Sequence, residues 1–88
     1  MPDNADAAGT LGWILFRQGV YREALQFLER ACTEDRGSKA PNAVIRRYHL
    51  AMTYLKLGDR QKGLELLARA IQQNPSLPEA QMARALVR

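Results

Sequence analysis

The sequence predicts an all-α fold, a solenoid of two helix-turn-helix units followed by a fifth, capping helix. Three observations predict it. Apolar residues recur at three- and four-residue steps, with none of the two-residue alternation of a half-buried strand. The chain repeats itself at an offset of 39 residues, which lays Leu11 on Leu50, Gly19 on Gly58, Leu25 on Leu64, Leu28 on Leu67, Arg30 on Arg69 and Ala31 on Ala70. The prolines then set the period: Pro41 to Pro75 is 34 residues and Pro2 to Pro41 is 39, so the first unit carries five extra residues, absorbed in "TEDRGSKA".

Taken in order, the first helix is predicted at about 5–18, with Leu11, Leu15 and Phe16 on its apolar stripe. Gly12 lies inside it as a small residue where two helices approach, tolerated at a propensity cost of about 1 kcal/mol. Gly19 is a stop, because a left-handed residue closes the last turn without a side-chain clash. The second helix, about 21–35, carries Ala24, Leu25, Leu28, Ala31 and Cys32. "DRGSKAPN" collects Gly37, Ser38, Pro41 and Asn42 and is read as the one long loop. The third helix, about 42–57, places Leu50, Ala51, Tyr54 and Leu55 on one stripe and ends at Gly58. The fourth, about 60–73, repeats the pattern with Leu64, Leu67, Ala70 and Ile71, and Gly63 and Ala70 supply its small contact sites. The fifth, about 77–87, has Pro78 in its first turn. Its Leu77, Ala80, Met82, Ala83 and Leu86 are expected to cover the second unit, with Glu79, Gln81, Arg84 and Arg88 turned to water.

These residues resemble the tetratricopeptide repeat, a unit of about 34 residues with the pattern W-x2-L-G-x2-Y, then A-x3-F, then P. Leu11, Gly12, Leu15, Gly19, Ala24, Leu28, Ala31 and Pro41 match in the first unit, and Leu50, Ala51, Tyr54, Gly58, Leu67, Ala70 and Pro75 in the second. Ala8 and Arg47 stand in the tryptophan slot, Gly63 replaces the second-helix alanine, and Leu28 and Leu67 replace an aromatic. The resemblance implies a right-handed α-solenoid forming a single domain over 1–88: repeat 1 at about 5–41, repeat 2 at about 42–75 and a capping helix at about 77–87. Because such arrays use three or more units, and Pro2 falls at a repeat junction, the expectation is a segment of a longer repeat protein. A complete two-repeat protein closed by its fifth helix is the alternative.

Composition narrows the chemistry. Eighty-eight residues, 47% hydrophobic and 25% charged, describe one globular domain with a modest core. The formal charge of +4 permits anionic partners without requiring them. A single cysteine forms no internal disulfide, and Cys32 on its apolar stripe reads as a structural thiol. No apolar run approaches the roughly 18 residues of a membrane span, and "MPDNADAAGT" lacks a signal peptide's basic start and apolar block. The expectation is a soluble chain without membrane contact, with cytoplasm favoured and periplasm open as part of a longer chain. His49 has no second His or Cys at ligand spacing, so no metal is expected, and no acid and base pair has a pocket to hold it. No cofactor and no enzymatic activity are expected.

A binding function remains. The family resemblance implies a concave groove lined by first helices that receives an extended peptide or a partner helix. On that face it places Asp6, Gly9, Thr10, Trp13, Phe16 and Arg17 of the first unit and Ile45, Tyr48, His49, Met52 and Lys56 of the second. The candidate groove set is Asp6, Thr10, Trp13, Arg17, Tyr48, His49, Met52 and Lys56. Gly9 and Trp13 stand in two slots where chaperone-tail binders of the family carry carboxylate-gripping side chains, which argues against a two-carboxylate clamp. Trp13 is the predicted hot spot, and packing against a neighbouring helix is its bland alternative. A second class of function is a structural segment of a larger scaffold, its apolar groove covered by further repeats or by weak self-association. Nucleic-acid binding ranks last, since no stacking aromatics interleave with Arg46 and Arg47 in a recognised module.

Overall fold

The computed structural model describes residues 4–86. Five helices follow in order: α1 (Ala5–Arg17), α2 (Tyr21–Glu34), α3 (Pro41–Lys56), α4 (Arg60–Gln73) and α5 (Pro78–Leu86). The first residue of α3 corrects the sequence reading. Pro41, read as loop, belongs to the helix together with Asn42, because a proline at the first helical position gives up only an N–H that has no intrahelical acceptor. Residue 87, expected in the last helix, and Arg88 lie outside the described residues.

Helices α1 and α2 form one hairpin, α3 and α4 a second, and the two turns are built alike. After α1, Gly19 N–H donates to the Phe16 carbonyl at 3.0 Å and Val20 N–H to the Leu15 carbonyl at 2.9 Å. After α3, Gly58 N–H donates to Leu55 at 3.1 Å and Asp59 N–H to Tyr54 at 2.9 Å. Gly19 and Gly58 sit at φ of 83° and 89°, the left-handed conformation that this closure demands and that a Cβ disfavours. Each hairpin is drawn tight by one glycine and one alanine in opposite order. A Cβ on Gly12 of α1 would lie 3.2 Å from the Ala24 carbonyl of α2, and one on Gly63 of α4 would lie 3.1 Å from the Ala51 carbonyl of α3.

Helix α3 is the keel. Leu50 and Tyr54 pack with Ala24 and Leu28 of α2 on one side. Val44, Tyr48, Ala51 and Met52 pack with Leu67 and Ala70 of α4 and Ala80 and Ala83 of α5 on the other. The Tyr48 hydroxyl donates to the Asn74 carbonyl at 2.6 Å, which fixes the end of α4 to α3. Helix α5 lies against α3 and scarcely touches α4. Ala80 and Ala83 are its buried positions, while Met82, expected to pack, is 46% exposed. Glu79, expected in water, is half-buried because α5 rolls it toward His49.

The first unit, expected from the prolines to be five residues longer, is not: α1 and α3 begin 36 residues apart and α3 and α5 37, because Pro41 starts its helix whereas Pro75 lies in the link before Pro78. The link Asp35–Ala40 has structural work. Arg46 Nε donates to Asp35 Oδ2 at 2.5 Å and its Nη1 to Asp6 Oδ1 at 2.8 Å, so one guanidinium ties α1, the link and α3 together. Gly9 makes room for that side chain: a Cβ there would collide with Arg46 Cδ.

Candidate functional site

The cleft between α1 and α3 is the feature nearest the predicted groove. Its apolar surface comes from Trp13, Ile14 and Ile45, and polar groups of Asp6, Thr10 and Asn42 stand at its rim. Arg46 and His49 complete the wall on the α3 side, and the cavity measures about 380 Å³.

Trp13 is held by stacking. Its ring lies 3.7 Å from the His49 ring at 5° and 4.8 Å from the Phe16 ring at 13°. Phe16 meets Tyr21 edge-on at 5.3 Å, which anchors the stack to the start of α2. Such contacts add about 0.5–1.5 kcal/mol per aromatic pair beyond the area they bury. Trp13 therefore packs against the core and still presents a half-exposed edge to the cleft.

His49 has little access to water. Burial lowers its imidazole from the usual histidine value to about 4, and the Arg46 guanidinium pushes the same way. It is thus neutral at pH 7. Its Nε2 is buried without a hydrogen-bond partner, 3.7 Å from Glu79 Oε2, and Glu79 Oε1 is also unpaired. At that separation the two groups face each other without a hydrogen bond.

The predicted groove set divides. The structure brings Asp6, Thr10, Trp13 and His49 together on the cleft. Tyr48 and Met52, expected on an open face, are fully buried, because α5 docks over that side of α3. Arg17 and Lys56 are exposed in the last turns of α1 and α3, away from the cleft lining. Ile14 and Asn42 line the cleft although the sequence reading did not place them on the groove, and Arg46, given no structural role there, is an ion-paired wall residue. Arg46 aligns with Ala7 under the 39-residue offset, so the repeat gave no signal for it.

No group of three or more His, Cys, Asp or Glu suited to a metal ion occurs among the described residues, and no helix there is long and apolar enough to cross a membrane. The Cys32 thiol is pushed up to about 11 by burial, which keeps it protonated at neutral pH.

Two family models described as tetratricopeptide repeat match the chain, one over residues 21–87 and the other over residues 4–33. No curated protein and no solved structure gives a significant match.

Proposed function

We propose a function from one premise: the chain belongs to the tetratricopeptide repeat family, whose domains are in general protein–protein interaction modules and typically non-catalytic. The reading is that the α1–α3 cleft receives an extended peptide or a helix of a protein partner. The observation that carries it is Trp13, fixed between two rings and open along one edge to a cleft with apolar walls and a polar rim. A large, immobilised aromatic loses little conformational freedom on binding, so contact with it converts efficiently into affinity. Asp6, Thr10 and Asn42 supply acceptors and donors for a peptide backbone lying across it.

Trp13 is the chain's single tryptophan, so its emission reports the cleft directly. The test is selection of a displayed peptide library against the chain, with counter-selection against Thr10→Arg, which alters an exposed cleft residue. Selected peptides are expected to shift Trp13 emission and to lose at least tenfold in affinity for the variant. Peptides that bind both forms equally, or leave the emission unmoved, would overturn the cleft reading.

A second reading has its own support. Leu11 and Ile14 of α1 are 41% and 47% exposed, whereas their counterparts Leu50 and Thr53 are buried, Leu50 against Ala24 and Leu28 of α2. A helix standing to α1 as α2 stands to α3 would bury them, and it could come from further repeats or a second copy. Light scattering that shows mass rising with concentration supports this assembly role.

A further inference from the structure

On the flank of α3 opposite the Trp13 cleft, a cavity of about 360 Å³ opens between α2, the Asp35–Ala40 link, α3 and α4. Arg36 enters from the link, Arg47 from α3 and Arg69 from α4. Among the described residues, none of the three pairs with a carboxylate. Arg47 is pre-oriented, since its Nη1 donates to Gln73 Oε1 and its Nη2 to the Asp35 carbonyl, both at 2.9 Å. A guanidinium has five N–H donors, so three of Arg47's remain for a ligand. The one lining carboxylate, Glu29, already accepts from the Tyr54 hydroxyl.

We propose that this cavity binds a doubly charged phosphate group, with Arg47 as the fixed donor and Arg36 and Arg69 closing from either side. Three positive groups converging on one small cavity suit a single doubly charged group with several acceptor oxygens. They suit a nucleic-acid backbone less well, because its charges are single and spread along a strand. The Asp35–Ala40 link supplies Arg36 and, through the Asp35 carbonyl, holds Arg47. The site is independent of the α1–α3 cleft and does not rest on the peptide reading.

Two sources share this chemistry, inorganic phosphate and a phosphorylated side chain, and one experiment separates them. The isotope-labelled full chain is titrated with inorganic phosphate, with a phosphoserine peptide and with its unphosphorylated form, following the Gly37 amide and the Arg47 Nε–H. Saturable shifts confined to these positions are expected with at least one of the phosphorylated probes, and the tighter probe identifies the source. The double variant Arg36→Ala/Arg69→Ala removes two exposed side chains and is expected to weaken binding by about tenfold or more. Arg22→Ala/Arg60→Ala, which removes two exposed arginines outside the cavity, is expected to leave it unchanged. Equal shifts in both variants, shifts scattered over all basic residues, or stronger binding of an oligonucleotide with shifts spreading beyond the cavity would each overturn the proposal.

Discussion

Helices α1 and α3 occupy equivalent places in the internal repeat and live in opposite surroundings. Leu11 is 41% exposed and Leu50 6%; Ile14 is 47% exposed and Thr53 is fully buried. The difference comes from neighbours and not from pattern. α3 has α2 on one side and α5 on the other, while α1 has α2 behind it and only a light contact with α3. In a solenoid each unit stabilises the next, so an equivalent apolar residue becomes core or surface according to whether a neighbour is stacked on it. The candidate cleft lies on α1 because that is where apolar side chains stay uncovered.

The largest expected effect tests this contrast directly. Leu50→Ala leaves a void among Ala24, Leu28 and Tyr54 and is expected to cost about 2–5 kcal/mol, the range for a buried leucine. Leu11→Ala, at the matching position, is expected to cost under about 1 kcal/mol. Urea unfolding of the two variants measures both. Similar losses would mean that α1 is covered in solution as α3 is.

A second contrast is set by pH. Thr10 matches His49 in the repeat and does not titrate, so any histidine-linked dependence belongs to α3. The folded His49 titrates at about 4, below the unfolded value near 6.5, so between these limits the unfolded chain binds more protons. The stabilisation is therefore complete above about pH 6.5 and is lost as pH falls toward 4. Its ceiling is about 3 kcal/mol at 1.36 kcal/mol per pKa unit. Glu79, 3.7 Å from Nε2, works against this by attracting the imidazolium, while Arg46 reinforces it. Denaturant midpoints at pH 4.5 and 7.5 are expected to differ more in the native chain than in His49→Gln. An identical pH slope in the two would remove His49 as its source.

The third contrast is expected to vanish. Gly12→Val and Gly63→Val each push a branched side chain into a leucine of the partner helix, Leu28 or Leu55, since a Cβ added at either glycine would lie 2.7 Å from that leucine. Each should cost about 1–3 kcal/mol. Equal losses by thermal unfolding would show that the two hairpin seams are equivalent although the stacking faces are not.

These differences explain what could be read in the sequence. Periodicity, Gly19, Gly58 and the 39-residue offset revealed five helices and their turns, because local backbone preferences and repeat symmetry act within a few residues. The burial of Tyr48 and Met52 was not legible, since it depends on how α5 docks, and α5 abandons strict repetition by lying against α3 instead of α4. The Arg46 bridge was hidden for a related reason. Its partners Asp6 and Asp35 lie 40 and 11 residues away, and the notch at Gly9 aligns with Tyr48, so the repeat offered no template for it. Of the groove set, Asp6, Thr10, Trp13 and His49, placed on one face by the family resemblance, do meet at one cleft.

The smallest expected effect on stability is also the most informative about function. Ile14 borders both the cleft and the outer edge of α1, where Leu11 and Thr10 continue the surface. Ile14→Ser acts at a half-exposed surface position outside the buried core, so the folding free energy of the monomer should change by no more than about 1 kcal/mol. Its other effects separate the two functional readings. Where the edge joins a second copy, the concentration-dependent mass seen by light scattering falls in Ile14→Ser, and unfolding midpoints lose their dependence on protein concentration. Where the cleft takes a peptide, mass is constant in both forms and the variant weakens cleft-selected peptides several-fold while Trp13 emission in the free chain stays where it was. A loss of about 2 kcal/mol or more in a dilute monomer, the range for buried aliphatic side chains, would place Ile14 in a core that the exposed face of α1 does not provide.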